Sequence, residues 1–597
     1  MKRFIPILFV VLLFASCTEK APVLNERPNI ILVMTDDQGY GDLGHTGNPI
    51  IQTPNIDAFS SQSVNLTNYH VGTTCTPTRA GLLTGRNCNR NGAWHTIMGA
   101  STLNKDEVTF ADILQDNGYK TGMFGKWHLG DNHPFMPHER GFDEAYFLGG
   151  GGIGQTPDYW NNDYFDDTYM RNGEPEKAEG YCTDVFFGEA LNFIEKNKDN
   201  NFMCYLSLNA PHSPFNVPEE YYNLYKDETD IMESQKRFYG MITNIDDNFA
   251  KLLAKLDELE IADNTILIFT TDNGSSNGWK MNSETGEMSG YNAGMQGAKA
   301  SQYEGGHRVP FIVRWKDGGL QGGKMLSELT AHVDMLPTMA ALAGIDFTPK
   351  KVMDGTDISS YLLKGEKPAK RMLVTDTQRV PWPIKGKQSC VMDGAWRLVN
   401  GDELYDLSQD PGQENNIAEA HPERVKEMNA FYDAWWASVI KESKHSIIDL
   451  GTVETDVLTC MDIHSTKQFP NWNQRMIRTG GLLEPAKFAV NFVTPGKYKV
   501  SLNRWPRESG AALGSKLSDE IPATAYTDPR VTGQPLTFKT AFLSIGDKEY
   551  TTAVDNSLPS ASMEIEVEEG NTDLTAWFEM KDGQLCNAFY VYVERME

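Results

Sequence analysis

Short, uninterrupted apolar runs recur along the first half of the chain, and each gives way to a polar cluster. Asn29–Met34 (NIILVM), Phe202–Leu208, Thr265–Phe269 and Pro310–Val313 read as strands buried on both faces, the pattern of a parallel sheet. Tyr119–Phe124 is a shorter run of the same kind. Helical patterns lie between them: Val108–Gln115 ahead of Gly118, Asp184–Lys196, and the long Ser234–Leu259. In the last, Ile242, Ile245, Phe249, Leu252, Leu253 and Leu256 recur at helical spacing. This alternation predicts an α/β domain over residues 26–345, a mostly parallel sheet sandwiched by helices.

The pattern then changes. Residues 346–443 predict a small α+β subdomain. Its strands, Trp396–Val399 and Glu403–Tyr405, flank an Asn400-Gly401 turn, and its helix is Pro422–Ile440. Residues 446–597 alternate apolar and polar positions in Lys487–Phe492, Lys497–Leu502, Met563–Val567 and Phe589–Val593. The first two flank a Pro495-Gly496 turn, and the whole predicts an accessory all-β sandwich. A chain of 597 residues is too long for one core, so several domains are expected on length alone.

Residues 1–17 form an export signal. Lys2 and Arg3 precede an apolar stretch, Ile5–Phe14, too short to span a bilayer. Ala15 and Ser16 then lead into Cys17, as in a bacterial lipoprotein signal whose cysteine is acylated; an ordinary cleaved signal is the plainer alternative. The expected location is extracytoplasmic, in the periplasm or on the outer membrane, with membrane contact only through the lipid anchor. A net charge of −27 argues against nucleic acid as a partner. No CxxC pair occurs, which argues against a zinc site. Cys88, Cys182, Cys204, Cys390, Cys460 and Cys586 leave room for up to two disulfides whose pairing is not readable.

Ligands of open α/β sheets sit beyond the carboxyl ends of the strands. Here those ends deliver Asp36-Asp37, Lys126-Trp127-His128, Pro211-His212 and Asp272-Asn273. Asp36, Asp37, Asp272 and Asn273 carry hard oxygens suited to Ca²⁺ or Mg²⁺; the alternative is that the aspartates cap loops or helices. Cys75 falls where Pro77 and Ala80-Gly81-Leu82-Leu83 predict a helix start, a place that attracts anions. Before any resemblance is considered, a buried core thiol or a disulfide partner is the plainer reading.

Cys75-Thr76-Pro77-Thr78-Arg79 followed by Leu83-Thr84-Gly85-Arg86 resembles the signature of the formylglycine-dependent sulfatases, in its cysteine form. The likeness continues through Gly125–Gly130, Ala210-Pro211-His212, Thr271–Gly274, Gly297-Ala298-Lys299 and Leu404-Tyr405-Asp406-Leu407. It implies an alkaline-phosphatase-like fold and a sulfuric ester hydrolase of arylsulfatase type. It implies that a formylglycine-generating maturation enzyme oxidises Cys75, and that a hydroxyl of the hydrated aldehyde attacks sulfur. By the same resemblance one Ca²⁺ is held by Asp36, Asp37, Asp272 and Asn273 beside residue 75. Arg79 and Lys126 hold the formylglycine hydroxyls, His128 accepts the proton that triggers sulfate release, His212 protonates the leaving oxygen, and Lys299 binds sulfate oxygens. His95 and His133 follow these motifs and are candidate substrate contacts. The expected substrate is a sulfated glycan or another sulfate ester. The competing readings are a phosphate or phosphonate monoester hydrolase of the same fold, and a non-catalytic glycan-binding lipoprotein.

Overall fold

The computed structural model describes residues 27–596 apart from 284, 466–468 and 482–483. The signal and Cys17 lie outside the described residues. A ten-stranded sheet organises the first domain. Its central strands, in the order Thr265–Thr271, Asn29–Thr35, Phe202–Ser207, Lys120–Lys126 and Glu144–Leu148, are parallel. Every residue of Asn29–Thr35, Phe202–Ser207 and Thr265–Thr271 is buried, which is why these strands read as continuous apolar runs. Ile30, Leu32 and Met34 face one layer, with the helices Cys75–Thr84, Phe110–Asp116 and Met335–Leu342. Ile31 and Val33 face the other, with Cys182–Asn197 and Glu233–Glu258.

The sheet is mostly parallel, as expected, and its antiparallel pairings lie towards the edges. Phe311–Arg314 runs antiparallel to Thr265–Thr271, and antiparallel strands also close the opposite edge. Apolar continuity reports burial on both faces and carries no information about direction, so Pro310–Val313 reads like the parallel strands although it pairs antiparallel.

Residues 373–406 form a four-stranded antiparallel sheet. Asn400 and Gly401 both take positive φ, 53° and 83°, and with Asp402 they connect strands whose register pairs Val399 with Glu403. The helix Pro422–Val439 lays Met428, Tyr432 and Trp436 on Val391, Leu398 and Leu404.

Beyond residue 446 two sheets face each other across a core that includes Leu502, Phe578 and Val591. Lys487–Phe492 and Gly496–Asn503 do not pair across Pro495-Gly496. The first joins Gly570–Met580, the second joins Ser560–Val567 and Tyr590–Arg595, so the turn carries the chain from one sheet to the other.

This sandwich is not separate from the α/β domain. Phe135 and Trp160 of the first domain belong to its core. The Gln474 amide donates to the carbonyls of Gln155, Asp158 and Tyr159 at 3.3, 3.1 and 3.1 Å. Thr156 N–H donates to the Trp472 carbonyl at 2.9 Å, and Tyr590 Oη donates to the Thr156 carbonyl at 3.0 Å. No helix among the described residues is long and apolar enough to cross a membrane.

Candidate active site

Parallel neighbours in register place the site. Thr35 lies opposite Thr271, so Asp36-Asp37 and Asp272-Asn273 emerge side by side. Lys126 ends the strand Lys120–Lys126, and His212 follows Phe202–Ser207. The helix Cys75–Thr84 starts at the same rim: Thr74 is extended at its N-cap, and Gly85, with φ 67°, ends it by donating to the Gly81 carbonyl. Carboxylate oxygens of Asp36, Asp37 and Asp272 and the sulfur of Cys75 lie within 4.8 Å of one another.

Each carboxylate has a cation. Lys126 Nζ is 2.7 Å from Asp36, Lys299 Nζ is 2.5 Å from Asp37, and Arg79 Nη2 is 2.8 Å from Asp272. Asn273 Nδ2 donates to Asp37 Oδ1 at 2.9 Å, and the Asp37 N–H donates to Asp272 Oδ1 at 3.1 Å. Asp36 Oδ1 and Asn273 Oδ1 remain buried without a hydrogen-bond partner. Unpartnered oxygens of this kind are costly unless something satisfies them. Together with the neighbouring carboxylates they make an all-oxygen set that fits a hard divalent cation such as Ca²⁺.

Burial and then the neighbouring Asp272 push the Asp36 carboxyl well above its ordinary range. Burial alone would raise Asp37 too, but Lys299, His212 and Lys126 outweigh it and hold that carboxyl low. Burial pushes the Cys75 thiol up to about 12, against the pull of Lys126 and Lys299. Burial lowers His212 to about 3 although Asp37 opposes it, and burial with Lys126 lowers His128 far below its ordinary value.

The histidines have defined faces. His128 Nε2 lies 2.9 Å from the Thr96 carbonyl, which makes Nε2 the donor and leaves Nδ1 a buried acceptor with no protein partner. His212 Nδ1 lies 2.6 Å from the Ser213 carbonyl, and its Nε2 is 3.8 Å from Asp37 Oδ2. Asp37 and His128 both adopt left-handed backbone, φ 69° and 59°, a strained conformation that recurs at functional sites. Gly151 is packed so tightly on the His128 ring that a Cβ there would sit 2.2 Å from it.

Cys75, His128, His212 and Lys299 line a cavity of about 210 Å³ together with His95. It adjoins a wider cleft of about 1180 Å³ that shares His212 and Lys299. Arg79, Lys126 and the acidic residues form the buried floor. His133 does not line either space; its Nδ1 contacts Glu139. Sequence reasoning passed over Gln155, Arg379 and Trp472, which also line the cavity. The Gly149–Gly152 run was the one available signal of a close backbone approach there.

The sulfatase family model matches residues 28–345. The chain belongs to the sulfatase family. The match covers the strands, helix and loops that carry residues 36 to 299 of the site. Among relatives of this sulfatase, N-acetylgalactosamine-6-sulfatase of Homo sapiens is 31% identical over 365 residues, covering 57% of this chain and 66% of that protein. Arylsulfatase G of Rattus norvegicus is 31% identical over 390 residues, covering 58% of this chain and 71% of that protein. The chain thus spans about two thirds of the length of these relatives. Among solved structures, Ps i-CgsB in complex with k-i-k-neocarrahexaose superposes with a TM-score of 0.62 at 27% identity, covering 72% of this chain and 96% of that one. The putative sulfatase yidJ from Bacteroides fragilis shares the fold, with a TM-score of 0.57 at 22% identity, covering 72% of this chain and all (100%) of that one. Arg379 and Trp472 stand outside the region matched by the family model.

Proposed function

We propose that this chain hydrolyses sulfate esters of carbohydrates, with Cys75 converted to formylglycine by a maturation enzyme and Ca²⁺ held by Asp36, Asp37, Asp272 and Asn273. The observation that carries this reading is the placement of Cys75 at a helix N-terminus, within 4.8 Å of three carboxylates. Formylglycine in its hydrated form would supply a hydroxyl nucleophile, and the calcium ion positive charge beside it.

The chain's own residues would do the rest. Lys126 and Arg79 bring positive charge to residue 75 while remaining fixed on Asp36 and Asp272. Lys299 is partly exposed to the cavity and would hold the oxygens of the bound sulfate. His212, its Nδ1–H held by the Ser213 carbonyl, would first take up a proton at Nε2 beside Asp37 and the bound anionic ester, and would then deliver that proton to the departing sugar oxygen. His128, with Nε2–H committed to the Thr96 carbonyl, offers Nδ1 as the base for a hydroxyl of residue 75. Carbohydrate as the substrate class is supported by the named activities of the relatives and by the oligosaccharide in the Ps i-CgsB structure. The sulfatase match favours sulfate over phosphate esters.

The test pairs a peptide mass measurement on residue 75 with a panel of sulfated sugars. Aldehyde at that position, sulfate release by the matured protein and none by a folded Cys75→Ala variant are expected. Turnover retained by Cys75→Ala would overturn the mechanism. Export as a lipoprotein acylated at Cys17 belongs to the same reading, and Cys17→Ser should move the protein from the membrane fraction to the soluble one.

A further inference from the structure

The cations around Cys75 are almost all engaged: Lys126, Lys299 and Arg79 each sit on an aspartate. Arg379 differs. It is exposed, lines both the catalytic cavity and the adjoining cleft, and has no ion-pair or hydrogen-bond partner among the described residues. In a chain with 81 acidic and 54 basic side chains, a guanidinium left without a carboxylate beside a sulfate-ester site stands out. Arginine is suited to this use because its planar fork matches sulfate and carboxylate oxygens in pairs.

His95 supplies an independent observation. It is 1% exposed and lines the same cavity. Its Nδ1 accepts from the Thr96 N–H at 2.6 Å and the Ile97 N–H at 3.3 Å. That fixes the hydrogen on Nε2, and Nε2 is buried with no protein partner. A neutral N–H donor is therefore left for whatever fills the cavity. Trp472, half-buried and with its backbone carbonyl tied to the Thr156 N–H, lines the same cavity and offers an aromatic side chain for a sugar ring.

We infer that the cavity selects a sulfated sugar carrying a second anionic group, a sulfate or a carboxylate, and that Arg379 with the Nε2–H of His95 is the receptor for that group. This rests on the sulfate-ester reading for the first anion, but it concerns binding and not turnover. Arg379 comes from the α+β subdomain and carries no carboxylate of its own, so its charge is available to offset that of a second anion near the acidic floor. A neutral ring there would leave the buried Nε2–H of His95 without an acceptor and forgo the charge-assisted pair with Arg379, a loss that discriminates between substrates.

The test uses the full-length Cys75→Ala protein, loaded with Ca²⁺, and calorimetric titration with hexose monosulfates and the matching hexose disulfates. At least one disulfate should bind about tenfold more tightly than either of its monosulfates. In the same background Arg379→Gln should bring that disulfate to within about twofold of its monosulfates, and Arg379→Lys should keep part of the gain. The inference fails if no disulfate gains tenfold, or if the gain survives Arg379→Gln. Sulfate release from the monosulfates and from a simple aryl sulfate is measured separately on the matured wild type. Its absence would sink the hydrolase reading while leaving the affinity ratio to decide the second anion.

Discussion

Arg79 grips a single oxygen of Asp272 through two nitrogens, Nε at 3.0 Å and Nη2 at 2.8 Å, and both side chains are buried. Its Nη1 also donates to the Lys126 carbonyl at 3.0 Å, tying the helix of Cys75 to two strands at once. Removing one partner of a buried pair costs more than the pair contributes, because the other charge stays behind. In calcium-free protein Arg79→Met should lower stability by about 3–5 kcal/mol, read from urea denaturation, and added Ca²⁺ should recover part of it. An unchanged urea midpoint would refute the role given to this contact.

His212 should matter in proportion to how badly the leaving group needs a proton. His212→Ala is expected to lower kcat on sugar sulfates by about 10²–10⁴-fold. Nitrophenyl sulfate, whose leaving oxygen needs no proton, should lose far less. Equal losses on both substrates would mean that His212 positions the substrate and does not act as an acid.

Chelation should both inactivate and destabilise the protein. Asp36 Oδ1 and Asn273 Oδ1 are unpartnered oxygens that a cation would satisfy. At a hundredfold excess over its Kd, Ca²⁺ should add about 2.7 kcal/mol, seen as a Tm shift that EDTA abolishes. Asp36→Asn should weaken that calcium dependence, and a shift that persists in this variant would place the ion elsewhere.

Acid should loosen the junction between the subdomain and the sandwich. The rings of His445 and His464 lie 4.2 Å apart. Burial, with Lys487 nearby, lowers His445 to about 4; burial, His445 and Lys487 lower His464 to about 3. The folded pair is neutral, whereas the unfolded chain takes up protons near pH 6.5. Their contribution is therefore complete above about pH 6.5 and declines as pH falls, by up to about 1.4 kcal/mol per unit for each ring. Urea midpoints should drop between about pH 7 and about pH 5, and His464→Phe should flatten that drop. A slope that His464→Phe leaves unchanged would assign the acid sensitivity to other groups.

The central sheet and the floor of the candidate site were legible because their signals are local. A strand buried on both faces is mostly apolar, and Asp36, His212 and Asp272 follow such strands within a few residues, while Lys126 ends a shorter apolar run. Strand direction was less visible, as Phe311–Arg314 shows, since burial is the same either way. Pro495-Gly496 marks a turn in the sequence without showing its kind, because alternation looks alike in a hairpin and in a crossing between two sheets. Arg379 and Trp472 were out of reach. They sit on irregular segments hundreds of positions from Cys75, and only the folded chain brings them to its cavity.

The three carbonyls gathered by the Gln474 amide bear on how such proteins diversify. A carboxy-terminal unit that supplies part of the cavity wall cannot be traded among relatives like a cartridge. Grafting another member's final 150 or so residues onto this chain would orphan those carbonyls and remove Trp472 in one stroke, so lineages of this architecture should change specificity by co-adapting both halves.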